Sequence, residues 1–152
     1  MASAEGSLYR LDLLGKHHDR AEFTCGVESL NSYLKPQATQ DMRRKANAVF
    51  VLVPENAPSK IAGYFTLCAY GLSPGAIPET AQKYIPRYPV VSATLIGRLA
   101  VSEHLQGQRL DSMLLAQALR KAHENASVVG SSMVVVDAID DRRYDFIKHM
   151  DL

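Results

Sequence analysis

The chain has 152 residues, of which 47% are hydrophobic and 22% charged, with a formal net charge of +1 at pH 7. That describes one ordinary globular domain with enough chain for a core, and no apolar run approaches the roughly 20 residues that span a bilayer. Balanced charge excludes a general polyanion binder, so any basic surface is local. Two cysteines, Cys25 and Cys68, show no metal spacing and read as free buried thiols. Residues 1–8 read as a loose leader with no signal-peptide pattern. Tyr9 to Leu14 reads as a first strand, and His17-His18-Asp19-Arg20 as a polar connection. From Val27 the apolar positions Leu30, Tyr33 and Leu34 recur at helical spacing. Pro36 breaks a helix interior. The pattern therefore predicts two short helices, with Pro36 in the first turn of the second, which runs to about Lys45.

Ala48 to Val53 is a strand rich in Val and Phe. Pro54 to Lys60 is a turn, and Ile61 to Ala69 is the next strand. Leu72 to Val90 carries four prolines and reads as an excursion with one helical turn near Glu79 to Lys83. Val91 to Val101 is a long strand. Leu110 to Glu124 is predicted as a helix, apolar at Leu110, Met113, Leu114, Ala118 and Leu119. Met133 to Val136 is a continuous apolar run, the pattern of a buried parallel strand. Asp140 to Met150 is predicted as a final helix bearing Tyr144, Phe146 and Ile147, with Asp140-Asp141 and Arg142-Arg143 capping and solvating it. The order β, α, α, β, β, β, α, β, α specifies an α/β domain with a mixed sheet flanked by helices.

The stretch with chemistry in it is Gln106-Gly107-Gln108-Arg109-Leu110-Asp111, set between the long strand and the long helix. Strand, polar loop and helix in that order present free backbone N–H groups and the positive end of a helix dipole to a phosphate. The loop resembles the acetyl-CoA pyrophosphate loop of the GNAT acetyltransferases, Gln/Arg-x-x-Gly-x-Gly/Ala. Gln106 matches, whereas Arg109 and Asp111 stand where the two small residues belong. Other stretches fall in register with the same family. These are Phe23-Thr24-Cys25-Gly26-Val27-Glu28-Ser29-Leu30 with Tyr33-Leu34, Ile61 to Leu67, Ile96-Gly97-Arg98-Leu99-Ala100-Val101, and Val135-Val136-Asp137-Ala138 followed by Phe146 to Leu152. The resemblance covers nearly the whole chain and is nearest to the GNAT toxins of bacterial toxin–antitoxin pairs.

That resemblance implies a GNAT fold with acetyl-CoA as cofactor. The pyrophosphate would lie on Gln106, Gly107, Gln108, Arg109, Leu110 and Asp111. The pantetheine would run along the backbone of Leu99, Ala100 and Val101, where a bulge splays the strand. The acceptor would be the amino group of an aminoacyl-tRNA, and its acetylation would stop translation in the cytoplasm. A small antitoxin and a second copy of the chain are the implied protein partners. Arg43, Arg44, Lys45, Arg87 and Arg98 are candidates for tRNA phosphate contact, although the first three also suit a plain helix C-terminus. The family's closing Phe-Tyr-x-x-x-Gly-Phe, aligned on Phe146, meets Ile147, Asp151 and Leu152. Isoleucine has no proton to donate, which leaves Tyr144 as the substitute general acid. The family's two last strands would begin about where Leu152 stands and are missing. The alternative reading is a catalytically inactive GNAT scaffold that binds an antitoxin or other protein partner. The five histidines show no metal-ligand spacing.

Overall fold

The computed structural model describes residues 8–107, 109–138 and 143–148. Among these, the strands are β1 (Tyr9–Leu13), β2 (Ala48–Pro54), β3 (Gly63–Leu72), β4 (Val91–Val101), β5 (Met133–Ala138) and β6 (Arg143–Lys148), and they neighbour one another in sequence order. β1 and β2 are antiparallel, with Leu11 opposite Leu52. β4 and β5 are parallel from Ala93 opposite Met133 to Ile96 opposite Val136. The helices are α1 (Glu28–Ser32), α2 (Ala38–Arg43), the short α3 (Glu79–Gln82) and α4 (Leu110–Val129). The fold is thus mixed α/β, as the sequence specifies. None of these helices is long and apolar enough to cross a membrane.

The chain divides into two compact units, one of Met1–Thr66 with Arg98–Gln117 and the other of Leu67–Gly97 with Ala118–Leu152. In the first unit, alternate residues of β2, Val49, Val51 and Val53, are fully buried and share one apolar cluster with Leu34, Ala38, Tyr64 and Ala100. Alternation with a period of two puts those three side chains on one face of the strand. The predicted break at Pro36 is absent. α1 and α2 are joined by a π-helical turn, Tyr33–Gln37, with Pro36 inside it. Proline lacks the N–H that an α-helix interior uses and clashes with the carbonyl four residues back; the wider turn relieves both. Arg20 supports this turn, donating to the Leu34 and Lys35 carbonyls and to the Thr39 hydroxyl.

α2 ends in a closed C-terminal motif. Ala46 N–H donates to the Asp41 carbonyl (2.8 Å) and Lys45 N–H to the Met42 carbonyl (3.2 Å), the paired bonds that satisfy the last carbonyls of a helix. Lys45 carries the turn with φ of 62°, the left-handed region where a side chain costs about 1–2 kcal/mol. Lys45→Gly is therefore expected to raise stability by about 0.5–1 kcal/mol, glycine's greater freedom in the unfolded chain taking back part of the gain. Urea unfolding of the two chains measures it.

In the second unit, Leu72, Ile77, Val91, Ala93, Met133 and Val135 form an apolar cluster against which Ala81, Ile85 and Leu95 pack. α4 outruns its predicted end at Glu124 and stops at Gly130, whose φ of 66° reverses the chain while Ser131 N–H closes on the Ala126 carbonyl (3.0 Å). The final helix is a correction. Arg143–Lys148 is strand β6, antiparallel to β5, with Tyr144 opposite Asp137 and Ile147 opposite Val134. Tyr, Phe and Ile all favour a pleated strand, and an antiparallel hairpin covers the edge that β5 would otherwise leave open. Residues 139–142, where the helix cap was expected, and 149–152 lie outside the described residues.

Candidate functional site

β4 leaves its parallel partner after Ile96, and Leu99, Ala100 and Val101 carry the strand onward in the first unit. Ala100 and Val101 are buried, so what they offer a ligand is backbone. Ser102 N–H donates to the Ala62 carbonyl (2.8 Å). Strand alternation then turns the Val101 amide to the opposite edge. The Val101 carbonyl is already taken: the Gln106 side-chain amide donates to it (3.1 Å) and to the Cys25 carbonyl (3.0 Å). Gln106 is thus a clasp for the loop. Gly63 on β3 makes room for this strand, since a Cβ there would sit 2.9 Å from the Ala100 carbonyl oxygen.

Beyond the clasp, Gly107 has φ of 88° and Arg109 φ of 64°. Gln108 lies outside the described residues. Met113 N–H donates to the Arg109 carbonyl (3.1 Å), the first turn of α4. The amides of Leu110, Asp111 and Ser112 consequently have no acceptor within the helix. Leu110 is buried and anchors the helix start, while Arg109 and Asp111 are exposed. Asp111 stands in the first turn, where its charge suits the dipole.

A second polar group surrounds Arg98, whose guanidinium carbon lies 3.7 Å from the Tyr33 ring centroid. The Tyr33 hydroxyl donates to Asp41 Oδ2 (2.7 Å), and Asn47 Nδ2 donates to both (3.3 and 3.1 Å). Tyr33 stacks on Tyr64, whose hydroxyl donates to the Leu30 carbonyl (2.7 Å). Burial first, then the Asp41 carboxylate, pushes the Tyr33 phenol up to about 12, so it is a fixed donor and not a base. Asp41 is held below its usual range, chiefly by that hydroxyl and next by Gln37. Sequence reading found Arg98 but missed Tyr33 and Asp41 as its partners. Arg43, Arg44 and Lys45 are exposed at the end of α2. Arg87 and Tyr144 belong to the other unit.

Tyr33→Phe removes the donor that lowers Asp41. A hydrogen bond to a charged group is worth about 1.5–3 kcal/mol; at this half-open site the expected loss is about 1–2 kcal/mol at neutral pH. A carboxyl whose folded pKa is depressed contributes stability above its unfolded pKa and loses it as pH falls through the folded value. The gap between native and variant chains should therefore narrow below about pH 4, the ordinary Asp value. Urea midpoints across an acid series read this out.

Among the described residues, two histidines join a carboxylate: ligand atoms of Asp12, His17 and His18 lie within 4.8 Å of one another. Both ring nitrogens of buried His18 are engaged, Nδ1 by the Gly15 N–H (2.9 Å) and Nε2 by Asp12 (3.2 Å). The group ties the end of β1 to its turn. Hydrogen bonds from His18 and Arg10 outweigh the upward push of burial and hold the Asp12 carboxyl low.

No family model matches the chain. It is 26% identical over 133 residues, 88% of this chain and 77% of the relative, to a tRNA-acetylating toxin of Mycobacterium tuberculosis (strain ATCC 25618 / H37Rv). Among solved structures, AtaT complexed with acetyl-methionyl-tRNAfMet matches with a TM-score of 0.78 at 29% identity, over 88% of this chain and 79% of that one. Over most of its length the chain is thus similar to GNAT toxins of toxin–antitoxin pairs. A tyrosine-to-phenylalanine AtaT mutant bound to the C-terminus of the antitoxin AtaR and acetyl-CoA matches with a TM-score of 0.70 at 25% identity, over 88% and 78% of the two chains. In GNAT terms, Arg109 occupies a glycine position with the glycine conformation kept. The expected setting of Tyr144 does not survive, because it lies on β6 instead of a helix.

Proposed function

We propose that this chain transfers the acetyl group of acetyl-CoA to the amino group of an aminoacyl-tRNA in the cytoplasm, blocking translation, and is held in check by a small antitoxin. The observation that carries the reading is the turn at Gly107 and Arg109 into α4, which leaves three helix-start amides for a phosphate. The loop, clasped by Gln106, would take the pyrophosphate of acetyl-CoA, with the helix-start amides of Leu110, Asp111 and Ser112 turned to it. Leu99 and the Val101 N–H are the backbone groups left for the pantetheine, because Gln106 uses the Val101 carbonyl. In the reaction the acceptor nitrogen bonds to the thioester carbonyl carbon, the C–S bond breaks, and the nitrogen loses one proton. A thiolate is a fair leaving group, so the step does not depend on a proton donor at the sulfur. Arg43, Arg44, Lys45 and Arg98 are the cations of the first unit offered to tRNA phosphates, and Arg87 is that of the second.

Calorimetric titration with acetyl-CoA, followed by acetyl transfer to charged tRNA, tests the proposal. Saturable binding with transfer is the expected result. A folded chain that binds no acetyl-CoA would instead be a scaffold for a protein partner.

A further inference from the structure

The second unit carries an exposed aromatic surface. Among the described side chains, Tyr84 and Tyr88 are the exposed aromatic ones, 57% and 65% accessible, with Val90 beside them at 62%. Every other Tyr and Phe from Leu8 to Asp137 is buried or half-buried. The two tyrosines recur at a spacing of four, each directly preceded by a cation, in Lys83-Tyr84-Ile85-Pro86-Arg87-Tyr88-Pro89. Lys83 Nζ lies 5.1 Å from the Tyr84 ring centroid. A cavity of about 530 Å³ opens here, lined by Pro74, Gln82, Lys83, Pro86, Arg87 and Tyr88.

The segment is anchored from below. Ala81 and Ile85 pack on the apolar cluster of this unit. Gln82 Nε2 donates to the Pro74 and Ile77 carbonyls (3.1 and 2.9 Å). Pro86 and Pro89 fix φ on either side of Arg87-Tyr88. Stiffened backbone with its apolar face inward and its tyrosines outward has already lost the entropy that presenting those rings would cost. From Leu67 to Gly97 the single carboxylate is Glu79, so phosphate meets little repulsion.

We propose that Lys83–Tyr88 is a stacking platform for unpaired RNA, specifically the single-stranded 3′ end of the acceptor tRNA. The inference rests on the function proposed above. Rings accept the faces of successive bases whatever their identity, and adjacent cations follow the backbone. The test is fluorescence anisotropy of a labelled single-stranded RNA ending in CCA, with the intact chain and two variants. Tyr84→Ala with Tyr88→Ala should weaken binding about tenfold or more, the scale of losing a base stack. Tyr84→Phe with Tyr88→Phe should bind as the native chain does, since stacking needs the ring and not the hydroxyl. Arg87→Gln should lower the salt dependence of log affinity by roughly 0.7, one phosphate on a single strand. Both tyrosines are exposed, so the alanine variant should keep the native thermal midpoint.

Equal RNA binding by native and alanine chains would overturn the platform. So would a native chain that binds no RNA, or an alanine variant whose sole change is loss of a dimer. Acetyl transfer to charged tRNA separates this from the functional reading. Transfer with a tRNA KM unmoved by the alanine variant sinks the platform and leaves the function. RNA bound through Tyr84 and Tyr88 by a chain that transfers nothing sinks the function and leaves the platform.

Discussion

Gly63→Val is expected to destabilise the chain by about 3 kcal/mol, and Gly63→Ala by about 2, within the range that overpacking a tight core costs. The first carbon of either side chain would lie 2.9 Å from the Ala100 carbonyl oxygen and 3.2 Å from Leu114 Cδ2. Leu114 is fully buried on α4, and the other obstacle is backbone, so neither neighbour yields cheaply. The strand that gives way is the one bearing Leu99 to Val101. A misplacement of about 1 Å in a positioning element costs on the order of 10²-fold in rate. Gly63→Ala should accordingly lose acetyl transfer out of proportion to its folded fraction at 25 °C. Urea unfolding gives the stability, and activity per folded molecule gives the rest. An alanine variant as stable and active as the native chain would show that β3 and β4 separate freely.

The second large effect is expected at the loop that leads into α4. Arg109→Gly combined with Asp111→Gly should tighten acetyl-CoA binding by about tenfold. Two terms act together. Arg109 sits in the loop with φ of 64°, and removing its side chain lets a phosphate come closer to the backbone. Asp111 places a negative charge in the first turn of α4, where it occupies the dipole field that would otherwise favour pyrophosphate, an effect of about 0.3–1 kcal/mol. Removing it also slightly weakens the helix start, so stability should change little overall. Calorimetry on native, single and double variants separates the terms. Weaker binding in Arg109→Gly alone would mean that the guanidinium itself grips a phosphate.

The stretch from Val91 to Leu115 was legible because its signals are local and long: a Val/Ile/Leu run, a polar loop, then a 3.6-residue period. The left-handed φ of Arg109 was not read from the sequence, although the pattern it resembles puts glycine there. The end of α4 could have been placed from Gly130, a standard stop for a helix. The last element failed for another reason. Tyr144, Phe146 and Ile147 are spaced by two and by one, which fits a strand as well as a helix face, and so short a run cannot decide its own period. Arg98 on Tyr33 was invisible because the residues are remote in sequence and belong to different elements; periodicity tells which face is apolar, never which partner meets it.

One residue too many is threaded through the first helical segment. In a regular helix eight residues make about 2.2 turns, leaving positions 33 and 41 roughly 80° apart around the axis. Their side chains nonetheless meet at 2.7 Å. The turn across Tyr33–Gln37 absorbs the surplus residue and resets the phase, so that Tyr33 and Asp41 stand as a pair seven apart would. The proline does not merely interrupt a helix; it works as a phase shifter that aligns the tyrosine beneath Arg98 with the carboxylate beside it. Lengthening or shortening this segment by one residue would leave both helices intact and turn every side chain after it away from its partner.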